Sequence, residues 1–514
     1  MITGFIFEKV PLLFRRFCAY CRSSMAYRLL AGLWHGLCRL CRESFVGSLL
    51  CEHAHEGRIT ETSAFLRGAD AVLRFIEKIL RKVIDVLTFG RRSSLILDSG
   101  KWFLSLYRFF DFEFFTGLCL CAVLLCPAGV WHNIYGLGIS AALLVLMLIY
   151  VAAEKKEALS LKTLGLPFVF FVLASVIGVC SSTDKGDAMR IFILFVTAFL
   201  FCIFVVADVT DETKLKRLLG AIWFCVCATA CVAMVQRVLG VSVSASLTDL
   251  STNEGMPGRV FATFENPNNY AEFLVLATPL AFVWCTLVKN DTLRRLAYLS
   301  MAFPLTALLM TYSRSGWVSF ALAAFVFVFL WNKRMLPAII IVCVAAVPFL
   351  PQTVLNRIST IGSTSDSSNM YRIYIWRGVL DMIKHNWLTG IGLGPVNFRS
   401  VYLLFCVPSA RPAPHSHMLY LELWVEMGIA GVISYFALLF TSLRKGLLAL
   451  KYASKPVKTA LIGAISSLVG IMFSCAAEYV WYYPRVMFFY FIVLGVLIAC
   501  GNIARKSNET EFLK

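Results

Sequence analysis

Residues Ile191-Phe192-Ile193-Leu194-Phe195-Val196-Thr197-Ala198-Phe199-Leu200-Phe201-Cys202-Ile203-Phe204-Val205-Val206-Ala207 run without a charge. A helix rises 1.5 Å per residue, so about 20 apolar residues cross the ~30 Å hydrocarbon core of a bilayer. With Ala188, Met189 and Arg190 before it, this run has that length. It has no polar face to turn toward water. Comparable runs flank it, and together they cover 114–131, 134–152, 165–180, 188–207, 215–238, 269–287, 294–311, 316–331, 335–350, 418–443, 457–477 and 484–502. The fold class is therefore all-α, a polytopic membrane protein with about twelve transmembrane helices.

The charges between the runs give a sidedness. Alternate connections carry Lys155, Lys156 and Lys162; Lys214, Lys216 and Arg217; Lys289, Arg294 and Arg295; Lys333 and Arg334; Arg444, Lys445, Lys451, Lys455 and Lys458; and Arg505 and Lys506. Short loops rich in Lys and Arg stay in the cytoplasm. Both termini are therefore predicted cytoplasmic, and the pattern holds along the whole chain.

Composition agrees: 59% of the 514 residues are hydrophobic and 15% charged, against roughly a quarter charged in soluble domains. The net charge of +18 lies at span ends, where it meets anionic headgroups. Nucleic acid is not an expected partner, because the stacking and groove-reading signatures are missing. Most of the 18 cysteines sit within apolar runs, where a thiol acts as a small hydrophobe. Cys406 is the clear exception on the outer side, so no exported disulfide framework is expected.

Three regions follow. Residues 1–113 alternate Lys and Arg with Leu, Phe and Ile, as in Val72-Leu73-Arg74-Phe75-Ile76-Glu77-Lys78, and read as basic amphipathic helices on the cytoplasmic leaflet. Lys9, Arg15 and Arg16 interrupt their first apolar stretch, so a cleavable signal peptide is not expected. Two pairs, Cys18 with Cys21 and Cys38 with Cys41, have zinc-ribbon spacing. The helical flanks favour acylated or packed thiols instead. Residues 114–503 form the transmembrane domain and 504–514 a cytoplasmic tail.

Two outer segments are long, 241–268 and 351–417. The second, between the ninth and tenth spans, holds Arg357, Arg372, Arg377, Lys384, Arg399 and Arg411 against the positive-inside trend. An anionic ligand is the simplest reason for it. Within it, residues 370–384 have helical spacing and are expected to lie along the membrane surface. Arg259 and Arg314 lie at outer helix ends, Arg314 in the turn Ser313-Arg314-Ser315-Gly316. A guanidinium stays protonated and offers phosphate a planar fork of donors, although an arginine at a helix end also snorkels to headgroups. His415 and His417 end the long loop. An imidazole there can take a proton from an attacking hydroxyl or simply orient the following helix. Further ligands for a metal are missing around them, so no metal and no cofactor is expected.

These residues resemble the O-antigen ligase and polymerase superfamily of bacterial envelope glycan transferases. The likeness covers roughly 258–476 and rests on Thr263-Phe264-Glu265-Asn266-Pro267-Asn268-Asn269, Ser313-Arg314-Ser315-Gly316, and Arg372 with Trp376. It continues through Leu388-Thr389-Gly390-Ile391-Gly392-Leu393-Gly394, His417 and Glu426-Met427-Gly428-Ile429-Ala430-Gly431. Met418 stands where the family often has Asn, which makes His415 a rival to His417. The resemblance implies a GT-C-like helical fold in the bacterial cytoplasmic (inner) membrane. It also implies metal-independent, inverting transfer from an undecaprenyl-pyrophosphate-linked glycan to a glycan, lipid or cell-wall acceptor at the outer face. By position, His417 would be the base, and Arg314 and Arg372 would grip the pyrophosphate. Arg259, His415, Asn268 and Arg377 are further substrate contacts. A repeat-unit polymerase, a lipid or oligosaccharide flippase and an inactive scaffold are the alternatives. Against the flippase, ionisable residues within spans are few: Arg190, Arg237, Glu272, Glu422 and Glu426.

Overall fold

A computed structural model of the chain describes residues 112–154, 164–241, 258–362, 367–411 and 413–512, with helical positions at Ala71, Phe75, Lys78 and Lys82. The two N-terminal cysteine pairs, the remainder of 1–111 and part of the first long outer segment lie outside the described residues. The residues described fall in the second of two compact units, Ala71–Lys514. They form helices and no strand.

The expected apolar runs lie largely on helix, although the first leaves it after Leu125. In chain order these are α1 (Phe112–Leu125), α2 (Asn133–Glu154), α3 (Leu166–Ser181), α4 (Lys185–Asp208), α5 (Glu212–Val238), α6 (Pro267–Leu287), α7 (Asp291–Ser300) and α8 (Ala302–Met310). They continue as α9 (Arg314–Asn332), α10 (Leu336–Ala346), α11 (Gln352–Ser359), α12 (Ser367–Asn386), α13 (Pro395–Tyr402), α14 (Leu419–Ala449), α15 (Lys455–Ala477) and α16 (Pro484–Phe512). Among the described residues, seven segments are long and apolar enough to cross a membrane: α4, α5, α6, Arg314–Phe349, α14, α15 and Pro484–Lys506. The chain is thus a multi-pass membrane protein. Segment 314–349 reverses at its middle: Arg357 Nε donates to Tyr312 O at 3.2 Å, which returns α11 to the end where α9 begins.

Lipid offers helices no hydrophobic gain on pairing, so close packing has to come from small residues. Ser319 and Ala323 of α9 face Gly470 and Ser474 of α15, two small-x-x-x-small pairs. A Cβ on Gly470 would stand 2.5 Å from that of Ala323, and the hydroxyls of Ser319 and Ser474 bond at 2.7 Å. α16 is the most enclosed span, 83% buried, whereas Arg314–Phe349 is 6% buried and lies at the periphery.

The long segment between α10 and α14 is folded around its own small core of Ile375, Val379, Met382, Phe398, Tyr402 and Val425. The two glycine-rich motifs quoted above meet there. Ile391 N donates to Val425 O at 2.8 Å and Ile429 N to Trp387 O at 2.9 Å. Gly428 (φ 65°, ψ −165°) breaks α14 at this junction, in a backbone region open essentially to glycine alone.

Candidate active site

One end of the bundle gathers the connections after α1, α3, α5, α8, α11 and α15. Arg485, fully buried, holds two of them: it donates to Cys126 O at 2.7 Å, to Thr263 O at 2.8 Å and to Glu265 Oε1 at 3.0 Å. Val260 N bonds Met310 O, and Leu419 N bonds Glu478 O. Among the described residues, the non-glycine positions with left-handed backbone are Ala262, Tyr312 and His417, one in each of three connections of this end. Such conformations persist only where the surroundings impose them, and they concentrate at functional sites.

Four arginines converge here. Arg259 is buried; its Nε donates to Thr311 O at 2.7 Å and its Nη2 to Asn268 Oδ1 at 2.5 Å. Arg314, in the first turn of α9, donates to Thr360 O at 3.1 Å and to Asn369 Oδ1 at 3.4 Å. Asn369, Arg372 and Trp376 are three and four residues apart, so they share one face of α12. Arg357 is the fourth. Burial first, then repulsion from Arg357, Arg314 and Arg372, against the attraction of Glu478, pulls the Arg259 pKa down to about 9. The N-termini of α6 and α9 add partial positive charge at the same end.

A single carboxylate ties this cluster to a histidine. Glu478 Oε1 accepts from Arg372 Nη2 and, at 3.2 Å, from Asn268 Nδ2. Its Oε2 stands 3.6 Å from His417 Nδ1. Burial alone would raise the Glu478 pKa. Arg372 and then the contact with His417 outweigh it and hold the pKa at about 2. The carboxylate is therefore ionised at any working pH and favours a proton on His417 Nδ1. That leaves Nε2 as the basic nitrogen, the logic by which a buried carboxylate sets an imidazole tautomer. Arg372 Nε is buried without a hydrogen-bond partner.

His415 has a different task. Its Nδ1 accepts the backbone N–H of His417 at 3.1 Å, which braces the left-handed backbone of His417. The rings lie 4.2 Å apart. Burial first, then the neighbouring His417 and Arg372 push the His415 pKa well below the usual imidazole range. Trp376 Nε1 donates to Ser416 O at 3.0 Å, and Ser416 N to Glu422 Oε2 at 2.7 Å. The histidine loop is thereby fixed between α12 and α14.

Residues 299–436 match the family model of O-antigen ligase. Over that stretch the chain is similar to O-antigen ligases. No curated protein matches the chain. The matched span takes in Arg314, Arg357, Arg372, His415 and His417, and it stops short of Arg259 and Asn268 on one side and Glu478 on the other. The matched stretch thus contains the histidines and three arginines, while segments flanking it supply the fourth arginine, the amide and the acid.

Of the residues singled out in the sequence, Arg259, Asn268, Arg314, Arg372, His415 and His417 are brought to one end. Arg377 is not among them: it is exposed on α12 and lies 6.0 Å from the Tyr374 ring. Five residues after Arg372 on a 100° helical wheel, it points about 140° away. Two further residues of this cluster, Arg357 and Glu478, were not singled out from the sequence. Arg357 reads as one more loop charge. Glu478 follows the eleventh run as the lone carboxylate in Glu478-Tyr479-Val480-Trp481-Tyr482-Tyr483, and that isolation among aromatics was the available signal.

Proposed function

We propose that this protein transfers a glycan from an undecaprenyl-pyrophosphate carrier to an acceptor hydroxyl at the outer face of the bacterial cytoplasmic membrane, by an inverting, metal-independent displacement. The observation that carries the reading is the junction at Glu478, where one carboxylate joins an arginine of a four-arginine cluster to the Nδ1 side of a histidine. In this reading the pyrophosphate lies among Arg259, Arg314, Arg357 and Arg372. His417 Nε2 takes the proton of the acceptor hydroxyl as its oxygen attacks the anomeric carbon. The bond from that carbon to the pyrophosphate oxygen breaks on the opposite face, and the leaving oxygen departs with the electron pair. Charge builds on that oxygen in the transition state, where fixed guanidinium donors are most effective. The leaving group is already a weak base, so no general acid is required. The 3.6 Å gap between His417 and Glu478 is of the kind that tightens when substrate binds.

The test compares strains producing wild type, Arg314→Ala and His417→Ala, with lipid-linked precursor and surface polymer both quantified. Accumulated precursor and lost polymer support transfer, and shortened rather than unattached polymer would point to repeat-unit polymerisation. Precursor and polymer at wild-type levels, with the variants present in the membrane, would remove the transferase reading in favour of a transporter or scaffold.

A further inference from the structure

Arg357 and Arg372 account for two of the basic residues in the long segment between α10 and α14, and four are left over. Arg377, Lys384, Arg399 and Arg411 are all exposed. Asp381 is the one acid between 367 and 411, and it answers Lys384 at 2.7 Å, which leaves this surface basic. The site does not use it. Arg377, Leu380 and Lys384 recur at i, i+3 and i+7, so they form one exposed stripe of α12. Ile375, Val379 and Met382, on the opposite face, fill the segment's own core. Trp387 and Leu388, 51% and 59% exposed, follow at the end of the stripe. α13 repeats the arrangement: exposed Arg399 stands one turn before Leu403 and Leu404, the latter 79% exposed. The two helix ends are neighbours, since the Phe405 ring lies 5.1 Å from that of His385.

Hydrogen bonds set the depth of this apolar end. Trp387 O accepts from Ile429 N at 2.9 Å and from Trp424 Nε1 at 3.0 Å, and both donors belong to the membrane-crossing α14. Leu393 N donates to Gly178 O at 3.2 Å, in the last turn of α3. Asn397, fully buried, grips the turn that follows α3: its Oδ1 accepts from Thr183 N at 3.1 Å and from Asp184 N at 2.9 Å. Residues 387–397 therefore lie beside the ends of spanning helices, at the boundary between hydrocarbon and water. Trp is favoured at that boundary, and Lys and Arg one turn away reach headgroups from it. An exposed apolar edge rimmed with cations is what an anionic leaflet binds.

We propose that this face of α12 and α13 seats the segment on the membrane by binding the headgroups of anionic phospholipid. Arg377, Lys384 and Arg399 meet the phosphodiesters, and Trp387, Leu388, Leu403 and Leu404 enter the boundary of the acyl chains. A guanidinium pairs with a phosphodiester through two donors. A zwitterionic headgroup carries its own cation beside the phosphate and is the weaker ligand. α12 presents Arg372 and Trp376 to the site from another face, so the lipid holds the helix that positions that arginine. The inference does not depend on the transferase reading.

The test is hydrogen exchange, read by mass spectrometry, on the full-length protein in nanodiscs. One set holds phosphatidylcholine alone, the other equal parts of phosphatidylcholine and phosphatidylglycerol. Exchange in α12 and α13 is expected to slow about fivefold in the anionic discs, the scale of one basic residue at such a surface. The difference should fade at molar salt, which screens exposed charge. Arg377→Gln, Lys384→Gln and Arg399→Gln together should abolish it, whereas Arg377→Lys with Arg399→Lys should retain most of it. Trp387→Gln with Leu404→Gln should speed exchange in both lipids. Equal exchange of the wild type in the two compositions overturns the proposal, because the face then answers to no headgroup charge. A difference that survives in the triple glutamine variant overturns it as well, by placing the lipid elsewhere. The wild-type comparison needs no variant, so it decides even if a substitution unfolds the protein.

Discussion

At the scale of single residues, the site turns on which nitrogen of which histidine is free. Glu478 faces His417 Nδ1, and His415 spends its own Nδ1 on the backbone of His417. Glu478→Gln should lower kcat by about 10²–10⁴, because an amide can present N–H to Nδ1 and favour the wrong tautomer. Glu478→Asp should retain more activity, and equal loss in both would show that position, not charge, is what counts. His415→Asn places Oδ1 where Nδ1 now accepts, so it should keep most transfer activity that His415→Ala loses. A pH effect follows from the same residue. His415 titrates near 6.5 in an unfolded chain and well below that when folded, since burial and His417 disfavour its charge. Below about pH 6.5 the unfolded state therefore binds a proton the folded state refuses, and stability falls as pH drops. The thermal midpoint of the detergent-solubilised wild type should decline between about pH 7 and 5 more steeply than that of His415→Asn. Parallel declines would place the acid sensitivity elsewhere. Glu478 behaves oppositely in range: its pKa is depressed to about 2, so its contribution is whole above the unfolded carboxylate range near 4.3 and fades only as pH falls toward 2.

At the scale of elements, the helices were legible and their meeting points only partly so. Apolar length placed every described span, because hydrophobicity in a bilayer is a local property of the sequence. Arg259, Arg314 and Arg372 were singled out because charge at an outer helix end is anomalous under the positive-inside rule, and His417 because it stands with His415 at the end of the long loop. Glu478 was not, since its partners Arg372 and Asn268 lie 106 and 210 positions away and nothing local marks the pairing. Arg377, expected as a substrate contact, is exposed and about 140° from Arg372 around α12. The junction of the glycine motifs deserves its own test. A Cβ on Gly428 would lie 2.1 Å from Leu388 O, at a φ of +65°, so Gly428→Ala meets both a clash and a forbidden conformation. It should destabilise the protein by roughly 3 kcal/mol or more, read as a lowered thermal midpoint and lower membrane yield. Gly501→Ala has open space at that position and should leave both unchanged. A stable Gly428→Ala protein would mean that the break in α14 is not required.

At the scale of the whole molecule, the connections that share one end are those predicted to lie outside by charge. Arg485, Val260 and Glu478 bind them to one another, as alternation of an unbroken series of crossings demands. The opposite end joins Glu212 to Ser454 at 2.5 Å and Asp208 to Lys214 at 3.5 Å, within the Lys-rich connections. A bilayer allows such a segregation to be inserted in one orientation with ease, because short Lys- and Arg-rich loops resist translocation. If that end is the outer one, Arg259, Arg357 and Arg372 escape the rule by lying in the two long connections, and Arg314 by being tied to Thr360 and Asn369. The arginine cluster and His417 should therefore be reachable from outside alone. Sealed right-side-out vesicles loaded with lipid-linked donor should glycosylate a membrane-impermeant acceptor added to the medium. Inverted vesicles should do so only after permeabilisation. A fluorescent protein fused after Lys514 should in turn mature on the cytoplasmic side. Activity in intact inverted vesicles would reverse the sidedness and make the basic end the outer one. The positive-inside reading would then fail for the molecule as a whole, while the geometry of the His417–Glu478–Arg372 junction would still stand.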